Sequence, residues 1–153
     1  MVAAQTVLIA ETRDGQVIGQ LPFAPDQEIC LTWAHSVTGG LVADCFENRS
    51  DRMVLTRSFL HDFAAGLGEV VGRGRLTPAP GGGYWIVGID EPVPDNALQL
   101  RAGAMSVGHV LALSTAPGAP IIRPDPSDDG GAIPLSRIAA GQSLRLRLAP
   151  AGH

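Results

Sequence analysis

The sequence predicts an all-β protein, a single-domain antiparallel β-sandwich that is immunoglobulin-like or related, with about eight to ten short strands. Short β-favouring runs recur at intervals of roughly 8–14 residues, each ended by a cluster of Gly, Pro, Asp or Asn. The chain has 19 glycines and 12 prolines among 153 residues, well above their usual share, which implies frequent turns. No segment carries an apolar stripe at helical spacing over a helical length, so little helix is expected.

The candidate strands follow from these runs and the turn residues between them. In chain order they are Ala4–Ala10, Val17–Phe23, Glu28–Ser36, Leu41–Asn48, Met53–Leu60, Gly74–Pro78, Tyr84–Asp90, Ala97–Arg101, Val107–Ser114 and Gln142–Ala149. The best place for a helical turn is Ser58–Val71, and Pro92–Asn96 is expected to be a loop. A second, Pro-, Asp- and Gly-rich loop is predicted over Ala116–Gly131, and loops of this length are usually functional or mobile. The expected core therefore runs from about residue 4 to residue 149.

Composition excludes several classes of function. The net charge is −4, and all 11 basic residues are arginines scattered along the chain. Without a basic cluster, binding to a nucleic acid is not expected. The absence of lysine removes Schiff-base chemistry and the lysine of a phosphate-binding loop. The apolar stretch Val2–Ala10 is too short to span a membrane and has no basic residues before it, so neither an anchor nor an intact signal peptide is expected.

Two predicted hairpins in the centre of the chain bring polar residues onto an apolar face. Alternation along the third strand places Trp33 and His35 on the face that carries its aliphatic residues. A tight turn after this strand pairs residues whose numbers sum to about 75, which sets Asp44 and Phe46 on the same face. Trp33 and Phe46 are therefore predicted to be core residues. The next hairpin pairs residues summing to about 101, which sets Asp44 opposite Arg57. His35, Asp44 and Arg57 are therefore predicted to form one inward-facing polar group.

This group has two interpretations. Buried charges need partners, so an inward Asp and Arg should pair and, with the histidine, hold the register of the strands. Alternatively, the three side chains line the mouth of a ligand pocket. An error of one residue in the register would break the group.

Other combinations of residues give weaker evidence for a functional site. Ser36 follows His35 directly, but alternation points the two side chains to opposite faces, so a catalytic triad is not expected. Cys30 and Cys45 are predicted cross-strand neighbours. They either form a disulfide or remain two reduced thiols, and we favour the thiols because directly opposed cysteines fit disulfide geometry poorly. The four histidines are far apart in sequence, so we expect no metal site and no cofactor.

The segment Phe63-Ala-Ala-Gly66-Leu-Gly68 has two interpretations as well. Its glycines could present backbone N–H groups to an anion, or they could simply turn a corner after a strand. With the central motif, it completes the set of candidate binding residues: Trp33, His35, Ser36, Asp44, Arg57, Phe63 and Gly66.

These motifs resemble a bacterial family known as domain of unknown function 1850. The resemblance rests on Trp33-Ala-His35-Ser-Val, on Val42-x-Asp44-x-Phe46, and on Phe59 followed by Asp62-Phe-Ala-Ala-Gly-Leu67. In that family a Glu is usual at Asp44, a Tyr at Phe46 and a Gly at Ala64. The similarity extends from about residue 20 to residue 149, and only the central motif is specific.

The resemblance implies a context more than a mechanism. Family members are small, are often exported or membrane-tethered, and are typically encoded beside TRAP-type solute transporters of the TAXI subclass. It implies a periplasmic or membrane-associated location and no enzymatic activity. The implied partners are the membrane subunits of the transporter or its binding protein. The expected function is thus a non-enzymatic accessory or interaction protein, and the alternative is a domain that binds a small solute near His35, Asp44 and Arg57.

Overall fold

The structure is a computed structural model that describes residues 6–25, 27–35, 39–61, 74–79, 82–114 and 132–150. Over these residues the chain forms twelve strands in two antiparallel sheets, which confirms the predicted all-β sandwich. The strands are β1 (Thr6–Thr12), β2 (Val17–Pro22), β3 (Glu28–Ala34), β4 (Leu41–Asn48), β5 (Met53–Leu60), β6 (Arg75–Pro78), β7 (Tyr84–Val87), β8 (Glu91–Pro92), β9 (Ala97–Arg101), β10 (Val110–Leu113), β11 (Ala132–Ile133) and β12 (Ser143–Pro150).

The smaller sheet joins the two ends of the described chain. Its strand order is β2-β1-β12-β9, with every neighbouring pair antiparallel. Leu8 and Leu146 are fully buried on its inner face. Because alternate residues of a strand point to opposite faces, Glu11, Arg145 and Arg147 lie on its outer face.

The larger sheet contains the central hairpins. Its order is β11-β10-β3-β4-β5-β7-β6, and β8 pairs with β5 beside β7. The register predicted for β3 and β4 is confirmed: Ile29 lies opposite Phe46, Leu31 opposite Asp44, and Trp33 opposite Val42. The predicted pairing between β4 and β5 is correct only at the end near their turn, where Phe46 lies opposite Leu55.

The core lies between the two sheets and takes side chains from both. Leu8 and Leu146 come from the smaller sheet, while Ile29, Phe46 and Leu111 come from the larger one. Phe46 is 2% exposed, as expected of a core residue. Trp33, also predicted to lie in the core, is only partly buried and packs between the main core and a smaller cluster formed by Val42, Leu60 and Ile86.

The ten predicted strands all occur, with ends that differ by a few residues. The two unpredicted strands, β8 and β11, have two residues each, too few to show a pattern in sequence. The helical turn predicted over residues 58–71 is wrong at its start, since Ser58 belongs to β5; residues 62–71 lie outside the described part of the chain. The loop predicted at residues 116–131 lies outside it too.

Helix is confined to short segments in the described ranges. A 3₁₀ turn covers Pro94–Asn96, inside the predicted loop, and α1 (Leu135–Ala139) follows β11. With five residues, α1 is too short to show helical periodicity, which is why the sequence did not predict it. Among the residues described, no helix has the length and apolar character needed to cross the membrane.

We expect Phe46→Ala to lower the free energy of unfolding by about 3–5 kcal/mol, because it leaves a cavity between the sheets. Chemical denaturation followed by circular dichroism measures this loss. The matched control is Leu76→Ala on β6, whose side chain is 49% exposed and which should change stability by no more than about 0.5 kcal/mol. Similar losses for the two variants would contradict the assignment of the core face.

Candidate functional site

The strands β3, β4 and β5 bury side chains on both faces. One face packs in the core between the sheets. The other, called here the polar face, holds the buried residues Glu28, Cys30, Thr32, Cys45 and Arg57. Buried polar and charged groups are costly unless they bond to one another, so the partners of these side chains define the candidate site.

A shift of register between β4 and β5 decides which residues reach the polar face. Phe46 lies opposite Leu55, but Cys45 lies opposite Arg57, so Thr56 is an extra residue on β5. This is the arrangement of a β-bulge. The Thr56 hydroxyl donates to the carbonyl of Cys45 at 3.3 Å, within the same irregularity. Beyond the bulge, each side chain of β5 therefore lies on the face opposite to the one predicted.

The prediction that His35, Asp44 and Arg57 form one inward-facing group is therefore wrong. Asp44 lies opposite Ser58 on the core-facing side, and the Ser58 hydroxyl donates to its carboxylate at 2.7 Å. Arg57, next to Ser58 in sequence, points to the polar face. The sequence pattern could not show this shift, because one additional residue inside a continuous β-favouring run leaves no turn signal.

The other candidate residues are placed as follows. His35 follows β3, where its backbone N–H donates to the carbonyl of Gly40 at 2.8 Å and its carbonyl accepts from the N–H of Gly39 at 2.8 Å. These bonds close the turn between β3 and β4. Trp33 lies on the core-facing side, 5.3 Å from the ring of His109. Ser36, Phe63 and Gly66 lie outside the described residues.

His109 makes polar contacts at the core, and sequence reasoning did not single it out. Its Nδ1 accepts from the backbone N–H of Gly103 at 2.9 Å, and its own backbone N–H donates to the hydroxyl of Ser136 at 2.8 Å. Burial lowers the pKa of His109 below its usual value, since the charged ring would lose hydration. A neutral ring keeps Nδ1 available as an acceptor, so His109 ties the loop before β10 to α1.

Arg57 forms a bidentate ion pair with Glu28. Its Nε donates to Oε2 at 2.9 Å and its Nη2 to Oε1 at 2.7 Å. The Glu28 side chain is completely buried and that of Arg57 is 10% exposed. The guanidinium carbon also lies 4.1 Å from the ring centroid of Trp85, which packs edge to face against Phe59. Two charge-assisted bonds and a cation–π contact thus satisfy the buried cation.

The ion pair extends across three strands. Glu28 is on β3 and Arg57 on β5, so their side chains meet over β4 beside Cys45. Sequence reasoning missed this pair because it considered only neighbouring strands. The sequence signal that could have indicated the pair is the alternation of side chains along β3, which places Glu28 on the same face as Cys30.

Cys30 and Cys45 form a disulfide, so the expectation of two reduced thiols is wrong. The two residues are directly opposed, as predicted, with Cα atoms 4.0 Å apart. Antiparallel strands alternate between wide and narrow residue pairs, and the side chains of a narrow pair approach each other closely. The spacing here is that of a narrow pair, which brings the two sulfur atoms within bonding reach.

The polar face also contains three groups of metal-binding type. A carboxylate oxygen of Glu28 and the sulfur atoms of Cys30 and Cys45 lie within 4.8 Å of one another. The metal-binding form of cysteine is the thiolate, and here the sulfur atoms are bonded to each other. The carboxylate is already neutralised by Arg57. In this state the three groups form a closed structural cluster rather than a metal centre.

A second buried carboxylate lies on the outer face of the smaller sheet. Oε1 of Glu11 accepts three bonds: from Nε of Arg145 at 3.0 Å, from Nη2 of Arg145 at 2.7 Å, and from Nε of Arg147 at 2.9 Å. Burial raises the pKa of Glu11, but the bonds and charges of Arg145 and Arg147 outweigh that effect and hold it below its usual value. Glu11 is therefore ionised at neutral pH.

Two cavities in the described structure lie at the smaller sheet. One of about 410 Å³ is lined by Glu11, Thr12, Arg13, Gly15, Gln99, Ser143, Leu144 and Arg145. Another, of about 310 Å³, is lined by Thr6, Asp51, Asn96, Leu148, Ala149 and Pro150. Neither is lined by the described residues of the predicted binding group.

The fold and the polar face define a small antiparallel β-sandwich domain with a disulfide and an ion pair buried in its larger sheet. The chain belongs to the family described as domain of unknown function DUF1850, whose family model matches residues 29–116, more than half of the chain. The family predicted from sequence is thus confirmed. Neither a curated protein nor a solved structure gives a significant match.

We expect Glu28→Ala or Arg57→Ala to lower the free energy of unfolding by about 3–5 kcal/mol, since each leaves the other charge buried and unpaired. The double variant Glu28→Ala/Arg57→Ala should be clearly less damaging than the sum of the two single variants. Urea denaturation of all four proteins measures the coupling. The control is Arg49→Ala, whose exposed pairs with Glu47 and Asp90 should contribute no more than about 1 kcal/mol. Strict additivity would show that the ion pair is not formed in solution.

We expect Cys30→Ala/Cys45→Ala to lower the free energy of unfolding by about 3 kcal/mol, since the disulfide closes a loop between residues 15 apart in sequence. Denaturation with and without reductant measures the loss, and reductant should affect the wild type alone. Thiol titration of the unfolded wild type should find no free thiols before reduction. Two titratable thiols in protein prepared under oxidising conditions would contradict the assignment.

Proposed function

We propose that this chain is a non-enzymatic accessory domain that works outside the cytoplasm beside a TRAP-type solute transporter of the TAXI subclass. The observation that carries the proposal is the buried disulfide between Cys30 and Cys45. Structural disulfides persist in oxidising compartments such as the bacterial periplasm and are rare in the cytosol. This supports the exported or membrane-associated location that the resemblance to DUF1850 proteins implies.

The chemistry of the polar face supports a structural rather than a catalytic role. Glu28 and Arg57 neutralise each other, and the sulfur atoms of Cys30 and Cys45 are bonded together. A catalytic acid, base or nucleophile has to exchange protons or electrons with a substrate. Groups that satisfy one another inside a sheet stabilise the strands instead, which suits a domain that presents a surface.

The proposed partners are the membrane subunits of the transporter or its binding protein. Antiparallel sandwiches commonly dock partners through their surfaces or by adding a strand at a sheet edge. Among the described strands, β2 and β6 lie at edges of the two sheets, each with a half-exposed apolar side chain: Val17 at 50% and Leu76 at 49%. These edges are the places at which docking is best tested.

A small-ligand binding domain is the second candidate function. The separation of Asp44 from Arg57 removes the reason for placing its pocket at the predicted group. The cavity beside Glu11 and Arg145 is the specific observation that favours it at another position.

Affinity capture tests the accessory role. The tagged full-length protein is isolated from its own host after mild crosslinking, and the captured proteins are identified by mass spectrometry. We expect enrichment of TAXI-type TRAP membrane subunits, or of the binding protein, over capture with an unrelated exported β-sandwich protein. Reciprocal capture with a tagged membrane subunit should recover this chain.

Two matched variants locate the contact. Leu76→Arg places a charge on the edge of the larger sheet and Val17→Arg on the edge of the smaller one, and neither buries the new charge. Loss of capture with one variant alone assigns docking to that edge. Absence of enrichment with the wild type in both directions of capture would contradict the proposal.

A further inference from the structure

We propose that the outer face of the smaller sheet holds a binding site for a small organic carboxylate, which pairs with the guanidinium groups of Arg145 and Arg13. The site is the cavity of about 410 Å³ lined by Glu11, Thr12, Arg13, Gly15, Gln99, Ser143, Leu144 and Arg145. It lies on the opposite sheet from the described members of the predicted binding group and from the disulfide. The inference does not rest on the transporter proposal, and either can fail alone.

The buried carboxylate of Glu11 fixes the orientation of the arginines. Glu11 is 5% exposed, and its Oε1 accepts two bonds from Arg145 and one from Arg147. A free arginine side chain has many rotamers, and ordering it on binding costs affinity. Because Glu11 already orders Arg145, a ligand that binds this guanidinium meets a largely preformed donor.

Arg145 retains donors for a ligand. A guanidinium has five N–H groups, and the bonds to Glu11 come from Nε and Nη2, so the Nη1 edge is not used by Glu11. The Arg145 side chain is 50% exposed, which leaves it accessible from the cavity. The planar fork of a guanidinium matches the geometry of a carboxylate.

The charge of the site is positive in spite of Glu11. Arg13 and Arg145 outweigh the single carboxylate of the lining, that of Glu11. Arg147 and Asp14 lie outside the lining, and their charges offset each other. The lowered pKa of Glu11 keeps its charge, and therefore its hold on Arg145 and Arg147, constant through neutral pH. An anion gains from this excess charge, whereas a cation would be repelled.

The size and lining of the cavity indicate the class of anion. Its volume lies within the range of small-molecule sites, about 300–1,000 Å³, and leaves space for more than one small inorganic ion. The hydroxyl groups of Thr12 and Ser143 and the amide of Gln99 add polar groups to the lining. A small polar acid, with a carboxylate for the arginines and further polar atoms for these groups, fits this combination.

Titration of the ¹⁵N-labelled full chain with succinate tests the proposal, with neutral succinamide and inorganic phosphate as parallel probes. We expect saturable shifts with succinate at the backbone amides of residues 11–15, 99 and 143–145. Succinamide should cause none, and phosphate should bind more weakly than succinate. Equal binding of succinamide would overturn the role of the arginines, and equal binding of phosphate would overturn the assignment to a carboxylate.

Three charge-matched variants complete the test. Arg145→Gln should weaken succinate binding about tenfold or more, since it removes a charge-assisted donor. Arg13→Gln removes an exposed rim charge without touching the bonds of Glu11, so it should weaken binding several-fold in a folded protein. Arg137→Gln, on α1 outside the cavity lining, is the control and should leave binding unchanged. Unchanged affinity in Arg13→Gln and in folded Arg145→Gln, or an equal loss in Arg137→Gln, would overturn the site.

Discussion

The ion pair between Glu28 and Arg57 is the interaction on which the larger sheet depends. It connects β3 to β5 across β4, and it requires the register in which Arg57 lies opposite Cys45. A slip of one residue would bury Arg57 in the apolar core and leave Glu28 buried on the polar face without this partner. The cost of an unpaired buried charge, several kcal/mol, therefore selects this register over its neighbours. The bulge at Thr56 is the local distortion that makes the register possible.

The disulfide and the ion pair constrain the same three strands in different ways. The disulfide joins β3 to β4 covalently, and the ion pair joins β3 to β5 by charge. Both lie on the polar face, so the core-facing side of these strands is free to be almost entirely apolar. The polar exceptions on that side include Asp44 and Ser58, which bond to each other, and Asn48, whose amide donates to the carbonyl of Phe23. The sheet thus separates its polar groups from the packing that stabilises the sandwich.

The smaller sheet also contains an ion pair between glutamate and arginine, but its charges do not balance. In both sheets a buried glutamate is held by arginine, and the chain contains no lysine at all. Arginine suits this role because its fork bonds a carboxylate at two points while its charge stays fixed. Around Glu28 the acid and base balance within the protein. Around Glu11 two arginines meet one acid beside a cavity, which leaves cationic donors directed outward.

The sequence by itself determined ten of the twelve described strands, the hairpin between β3 and β4 and the family, because alternation and turn residues are local signals carried by consecutive residues. Those signals placed Phe46 in the core and set Cys30 opposite Cys45 correctly. The tertiary structure alone decided the partner of Arg57, since the bulge at Thr56 and the reach of Glu28 across a third strand are not encoded in local periodicity. It also decided that the two cysteines bond, and that Glu11 meets Arg145 and Arg147. These contacts join residues far apart in sequence, and their energy depends on burial, which only the packed sheets create.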